Sequence, residues 1–123
     1  MIFKGSATAL VTPFHADFSV NKEKFVELIN RQIADGTQAL VINGTTGEAS
    51  TLNKEERMDL LKLALETVNG RIPVIAGTGS NNTADALEAT LAAQYAGADA
   101  AMLVTPYYNK TSQAGLIAHY THI

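Results

Sequence analysis

Asn43-Gly44-Thr45-Thr46-Gly47-Glu48 is the stretch best equipped for chemistry, because two glycines bracket two hydroxyls directly after the apolar run Ala39 to Ile42. Glycine opens φ values closed to other residues, so the pair is expected to fold the backbone into a small concavity with inward N–H groups, a shape that attracts an anion. Thr45 and Thr46 would add a hydroxyl each, which suits the planar carboxylate of a small substrate better than the pyrophosphate of a dinucleotide. The same residues also fit a plain strand-to-loop turn capped by threonine. A second polar loop, Gly77-Thr78-Gly79-Ser80-Asn81-Asn82, follows a strand pattern and opens a helix pattern, as a phosphate or nucleotide site would. It lacks the third glycine of the dinucleotide pattern and the lysine of a P-loop. His119 and His122 lie three apart on a presumed helix, but no carboxylate is spaced to join them on a metal. No metal and no cofactor are expected.

Composition narrows the class of partner. The chain has 123 residues, 46% of them apolar, and a net charge of -3, which describes one ordinary globular unit able to bury a core. No basic face appears, so nucleic acid is not an expected partner and a small or anionic metabolite is. Without cysteine there are no disulfides, thiolate zinc sites or cysteine nucleophiles, and a reducing compartment is compatible. The first residues lack the order of a signal peptide and no apolar run approaches a bilayer span, so no membrane partner and a cytoplasmic location are expected.

The elements that must position these loops repeat one design. Ala7 to Val11 reads as a strand halted at Thr12-Pro13-Phe14. Asn21 stands where an N-cap should, and Phe25, Leu28, Ile29 and Ile33 recur at helical spacing until Gly36. Ala39 to Ile42 is the second strand. It leads through the polar loop into a helix opened by Asn53 and Glu56 at capping-box spacing, with Met58, Leu61, Leu65 and Val68 as its buried stripe and Gly70 at its end. Val74 to Ala76 starts the third unit, whose alanine-rich helix turns Leu87 and Leu91 inward and closes at Gly97. The fourth strand, Ala100 to Val104, halts at Thr105-Pro106, and a helix carrying Leu116, Ile117 and Tyr120 begins near Ser112.

Apolar strands alternating with helices at intervals of about thirty residues predict parallel βαβ units, hence an α/β fold. The turns from helix to strand carry Gly36, Gly70 and Gly97, whereas every loop that leaves a strand carries polar or aromatic residues. The chemistry therefore gathers at the C-terminal edge of the sheet, where ligands bind in barrels and open sheets alike.

Three ordered motifs carry a family resemblance: Ala9-Leu10-Val11-Thr12-Pro13-Phe14, Gly44-Thr45-Thr46-Gly47-Glu48 and Val104-Thr105-Pro106-Tyr107-Tyr108-Asn109, together with Gly70 to Gly79. The chain resembles, from end to end, the N-terminal half of the dihydrodipicolinate synthase (4-hydroxy-tetrahydrodipicolinate synthase) family. That family belongs with N-acetylneuraminate lyase and 2-keto-3-deoxygluconate aldolase among the pyruvate Schiff-base enzymes on a (β/α)8 TIM barrel. The sialic-acid lyases resemble Gly-Ser-Thr-Gly-Glu at the second motif, so Thr45 tilts toward the synthase. The resemblance implies residues 1–123 as the first four βα units of such a barrel. It also implies condensation of pyruvate with L-aspartate 4-semialdehyde in lysine and diaminopimelate biosynthesis, and a homo-oligomer, dimer or tetramer.

By the same resemblance, Thr45 and Thr46 hold the carboxylate of the pyruvate-derived intermediate, and Thr46 is similar to the threonine of the family's proton relay. Tyr108 is similar to the tyrosine that reaches across a dimer interface, and Tyr107 belongs to the same contact. Hydroxyls both donate and accept, so a chain of them can move a proton without a fixed charge. Ala49, Ser50, Lys54, Arg57, Asn81, Asp85 and Tyr107 resemble the pocket through which lysine inhibits part of the family. Lys54 and Arg57 there would repel a lysine side chain. Schiff-base chemistry needs an amine with a lowered pKa, yet Lys4, Lys22, Lys24, Lys54, Lys62 and Lys110 all fall on loops or polar helix faces. A whole barrel needs about 250 residues. The expectation is a half-barrel that cannot perform the condensation alone and that self-associates to cover its edges.

Overall fold

The computed structural model describes residues 2–123. Four strands alternate with four helices: β1 (Ala7–Ala9), α1 (Lys22–Ala34), β2 (Ala39–Ile42), α2 (Lys54–Val68), β3 (Val74–Gly77), α3 (Thr83–Ala96), β4 (Ala100–Met102) and α4 (Gln113–His122), with a 3₁₀ turn at Thr45–Gly47. The strands form one sheet in chain order, every pair parallel, with Ala7 opposite Ala39, Leu40 opposite Val74 and Ile75 opposite Ala100. Each strand is thus followed by a helix that returns the chain to the same starting edge, the connection a parallel pair requires.

The helices begin where side chains can meet their first N–H groups. Asn21 accepts from the Lys24 amide, Asn82 from the Ala84 amide and Ser112 from the Gly115 amide. Asn53 and Glu56 form a full capping box, each side chain bonded to the other's backbone N–H. At the far ends, Gly36, Gly70 and Gly97 take positive φ, which reverses the chain toward the next strand.

One face of the sheet is sealed by helices. Leu10, Leu40, Ile42, Val74 and Ala76 pack there against Phe25 and Ile29 of α1 and Leu60, Leu61, Ala64 and Val68 of α2. β2 is buried throughout. β1 and β4 are not, and Val11 and Met102 stand exposed, so the outer strands are shorter and barer than the apolar runs Ala7 to Val11 and Ala100 to Val104 imply. Pairing on only one edge leaves their ends without ladder partners.

The helical stripes also differ from the expected ones. In α2 the deepest residues are Leu60, Leu61, Ala64 and Val68, while Met58 and Leu65 are half-buried. In α3 the buried residues are the small Ala86 and Ala93, the latter in the core with the sheet; Leu87 is half-buried and Leu91 exposed. Alanine wins because it lets the helix axis approach the strands closely. In α4 the buried residue is His119, not Ile117, which is 69% exposed.

The edge opposite the polar loops is clasped by side chains. Val74 N donates to Asp99 Oδ2 at 2.8 Å while Asp99 N donates to the Val74 carbonyl at 2.9 Å, tying β3 to the entry of β4. Ser6 N donates to Gln38 Oε1 at 2.7 Å in the same way between the entries to β1 and β2.

Candidate functional site

The loops that follow β2, β3 and β4 meet at one edge of the sheet and enclose two adjoining hollows. The first, of about 320 Å³, is lined by Asn43, Gly44, Thr45, Arg57, Gly79, Val104 and Tyr107 among others. The second, of about 400 Å³, runs between α2 and α3. Asn43, Ala49, Ser50, Arg57, Gly77 and Tyr107 line both.

The Gly44–Glu48 segment is a tight 3₁₀ turn. Gly47 N donates to the Gly44 carbonyl and Glu48 N to the Thr45 carbonyl, both at 3.0 Å. These amides are therefore consumed by the turn itself, which corrects the expectation of a concavity with every N–H facing inward. The amides of Thr45 and Thr46, first in the turn, have no acceptor within it. Nor do the glycines supply the unusual φ. Gly44 sits at φ -77, and the left-handed positions are Asn43 at φ 60 and Glu48 at φ 58. The glycines supply clearance instead: a Cβ on Gly47 would press on the Leu10 carbonyl at 3.0 Å. Thr12, buried at the end of the first strand segment, donates its hydroxyl to the Gly47 carbonyl at 2.7 Å and fixes the turn from below.

Of the residues singled out in the sequence, Thr45 lines the first hollow together with Tyr107. Thr46 is exposed on the turn beside it and Tyr108 points into solvent, 99% exposed with φ 66. Neither Thr46 nor Tyr108 is among the lining residues. A left-handed φ on a bulky aromatic is a strained conformation that proteins retain mostly where something else holds it. Asn43, the first residue of the stretch singled out in the sequence, lines this hollow, and so does Arg57, which the sequence reading placed only in the inhibitor pocket.

All seven residues of the resemblance-derived inhibitor pocket line the α2–α3 hollow. Its charges are partly matched. Lys54 Nζ lies 2.8 Å from Glu88 Oε2, and this hydrogen bond, then the charge of Glu88, holds the Lys54 ammonium above its ordinary pKa. Repulsion of an incoming cation therefore rests on Arg57, not on two free cations as the sequence suggested, and Asp85 and Glu88 oppose it.

The loop Gly77 to Asn82 borders both hollows, but its glycines serve packing and its polar groups are partly engaged within the chain. A Cβ on Gly77 would overlap the backbone of Asn43, and one on Gly79 would overlap Val104, so both glycines let neighbouring strand ends come together. Thr78 is buried against the Thr90 hydroxyl at 2.8 Å, and the Asn81 carbonyl accepts from Asn109 Nδ2 at 2.9 Å. This disfavours the nucleotide reading. His119, 6% exposed, shares a hydrogen bond with the Thr83 hydroxyl through Nδ1 at 2.8 Å and so docks α4 on α3. Among the described residues no group of three His, Cys, Asp or Glu side chains is placed to hold a metal, and no helix is long and apolar enough to cross a membrane.

Parallel βα units with their polar loops gathered at one sheet edge define a barrel-type α/β chain. The chain belongs to the dihydrodipicolinate synthetase family, whose model matches residues 2–123. It is 59% identical over 122 residues to the 4-hydroxy-tetrahydrodipicolinate synthase of Thermoanaerobacter sp. (strain X514), covering 99% of this chain and 41% of that protein. It is 57% identical to the enzyme of the same name from Geobacter sulfurreducens, covering 99% of this chain and 42% of the relative. Among solved structures, the chloride-inhibited dihydrodipicolinate synthase of Acinetobacter baumannii, complexed with pyruvate, superimposes with a TM-score of 0.95 at 50% identity, over 98% of this chain and 41% of that one. The fold is thus the N-terminal part of that barrel. The chain spans about two fifths of the length of the relatives it matches.

Proposed function

We propose that this chain supplies the carboxylate-holding edge of a cytoplasmic lyase that condenses pyruvate with L-aspartate 4-semialdehyde, a step of lysine and diaminopimelate biosynthesis. The observation that carries the reading is the hollow lined by Thr45, Arg57 and Tyr107, with the Thr45 and Thr46 amides not used by their own turn. A carboxylate there would accept from these N–H groups and from the threonine hydroxyls, while the Arg57 guanidinium at the wall favours negative charge.

The reaction runs through a Schiff base: a neutral lysine amine attacks the keto carbon of pyruvate and water leaves. All six lysines of this chain are exposed and none lies in a strand, so none has the burial that would lower its pKa to that task. The covalent step then depends on a lysine beyond these residues, and the chain alone binds without condensing. Thr46 and Tyr108 serve the proton relay. The Tyr108 side chain, wholly exposed and held at a left-handed φ, reaches into the site of a second copy, and the assembly is a homo-oligomer built on that contact.

Amide NMR of this chain titrated with pyruvate tests the binding step. The Thr45 and Thr46 resonances are expected to move most. Borohydride reduction with pyruvate is expected to leave the chain mass unchanged. Unmoved Thr45 and Thr46 resonances would overturn the binding assignment, and a trapped pyruvate adduct would overturn the division between binding and condensation.

A further inference from the structure

We propose that Asn43 is the positioning residue of the Thr45–Thr46 turn, acting through a hydrogen bond from its side chain to the backbone of α2. Asn43 ends the buried β2 segment at φ 60 and is itself 9% exposed. Its Nδ2 donates to the Arg57 carbonyl at 2.8 Å. A carbonyl can only accept, so this bond settles which end of the amide faces α2 and leaves Oδ1 turned away, where it is buried and without a partner. An unmet buried acceptor is a cost that a glycine or an apolar residue at this position would not carry. The contact the side chain does make is the one at its Nδ2 end.

What that end does follows from the neighbours. Residues 44 to 48 leave Asn43 directly, and Thr12 braces the far side of the turn at Gly47. The Asn43 backbone is also pressed against Gly77, where a single added Cβ would collide with its carbonyl. The turn is therefore held at three points: the Gly77 contact sets how near β3 it starts, the Arg57 carbonyl sets its angle to α2, and Thr12 sets its height above the sheet. Only the middle one is a side chain that also lies in the wall of both hollows. Asn43 thus decides where the two amides left free by the turn point. The assignment rests on the carboxylate reading for its purpose, but the tether itself is a property of the chain without ligand.

Amide hydrogen exchange on the 123-residue chain tests it. Asn43→Gly keeps the left-handed φ and deletes the side chain. Gly47 and Glu48 amides are expected to lose at least tenfold in protection, while Phe25 and Ile29 amides in α1 keep theirs. Arg57→Ala preserves the accepting carbonyl and is expected to leave the turn as protected as in the parent chain. Asn43→Asp gives the conservative rescue, since an ionised carboxylate cannot donate to the carbonyl and a protonated one can; protection factors at the turn are expected to fall at neutral pH and recover in acid. Unchanged turn protection in Asn43→Gly would overturn the proposal. So would equal loosening in Arg57→Ala, or an Asn43→Asp profile without acid recovery. Should Asn43→Gly not fold, the Asn43→Asp profile decides alone. Absence of pyruvate binding in the parent chain would count against the proposed function and leave the tether standing.

Discussion

β2 and β3 have a parallel neighbour on each edge and two helices over one face, whereas β1 and β4 have one neighbour each and expose most of their side chains. All four read alike in the sequence, as short apolar runs that end in a polar loop. The difference shows that apolar content reports which residues are suited to a sheet interior, and that the number of flanking strands decides which of them are covered.

The largest test of that contrast is a truncation on each side. Leu60→Ala, in the fully buried contact of α2 with the sheet, is expected to cost about 2–5 kcal/mol. The similar truncation Ile117→Ala on the exposed face of α4 is expected to cost under about 0.5 kcal/mol. Urea unfolding of both reads the difference, and equal losses would erase the distinction between centre and flank. Next comes Gly77→Ala, which drives a Cβ into the Asn43 backbone; a loss of about 1–3 kcal/mol is expected, with amide shifts concentrated at 43 to 48.

Asn53→Ala removes the side-chain acceptor for the Glu56 amide, leaves the residue 53 N–H still donating to the Glu56 carboxylate, and is expected to lower stability by about 1 kcal/mol, seen as a lower urea midpoint at unchanged slope. Out on the flank, Phe18 is exposed at φ 69 in the loop between β1 and α1, so Phe18→Gly relieves a strained backbone and sacrifices little packing. A gain of about 0.5–1 kcal/mol is expected, read as a higher melting temperature. The smallest effect belongs to the pair that links α1 to α2. Lys22 bonds Asp59 at 2.9 Å, and this hydrogen bond, then its charge, holds the Asp59 carboxyl below the ordinary 3.8. A carboxyl lowered in the folded state stabilises above its unfolded value and loses that contribution as pH falls through the folded one. Lys22→Met is therefore expected to lower the midpoint slightly near neutral pH and not at all in strong acid, and added salt should shrink even the neutral effect.

Much of this architecture was legible beforehand because its signals are local. Asn21, Asn53 with Glu56, and Ser112 cap helices as their chemistry dictates, and Gly97 stops one. Strand burial was misjudged at Val11 and Met102 because cover comes from elsewhere in space. The Gly44–Glu48 turn was located correctly and its workings were not. Sequence suggests what a glycine is free to do, but only coordinates reveal that Gly47 clears a carbonyl while Asn43 and Glu48 take the left-handed angles. Thr45 was found in the hollow. Arg57 escaped notice there because it comes from a helix one turn past a cap, and no spacing rule links it to a loop nine residues earlier or more.

The clasp between Asp99 and Val74 holds the strands in alignment from the end remote from every loop discussed above. Strand alignment and the two hollows consequently lie at opposite ends of the same sheet. Substitutions in the polar loops leave the clasp untouched, so that edge is free to vary in sequence while the strands keep their register.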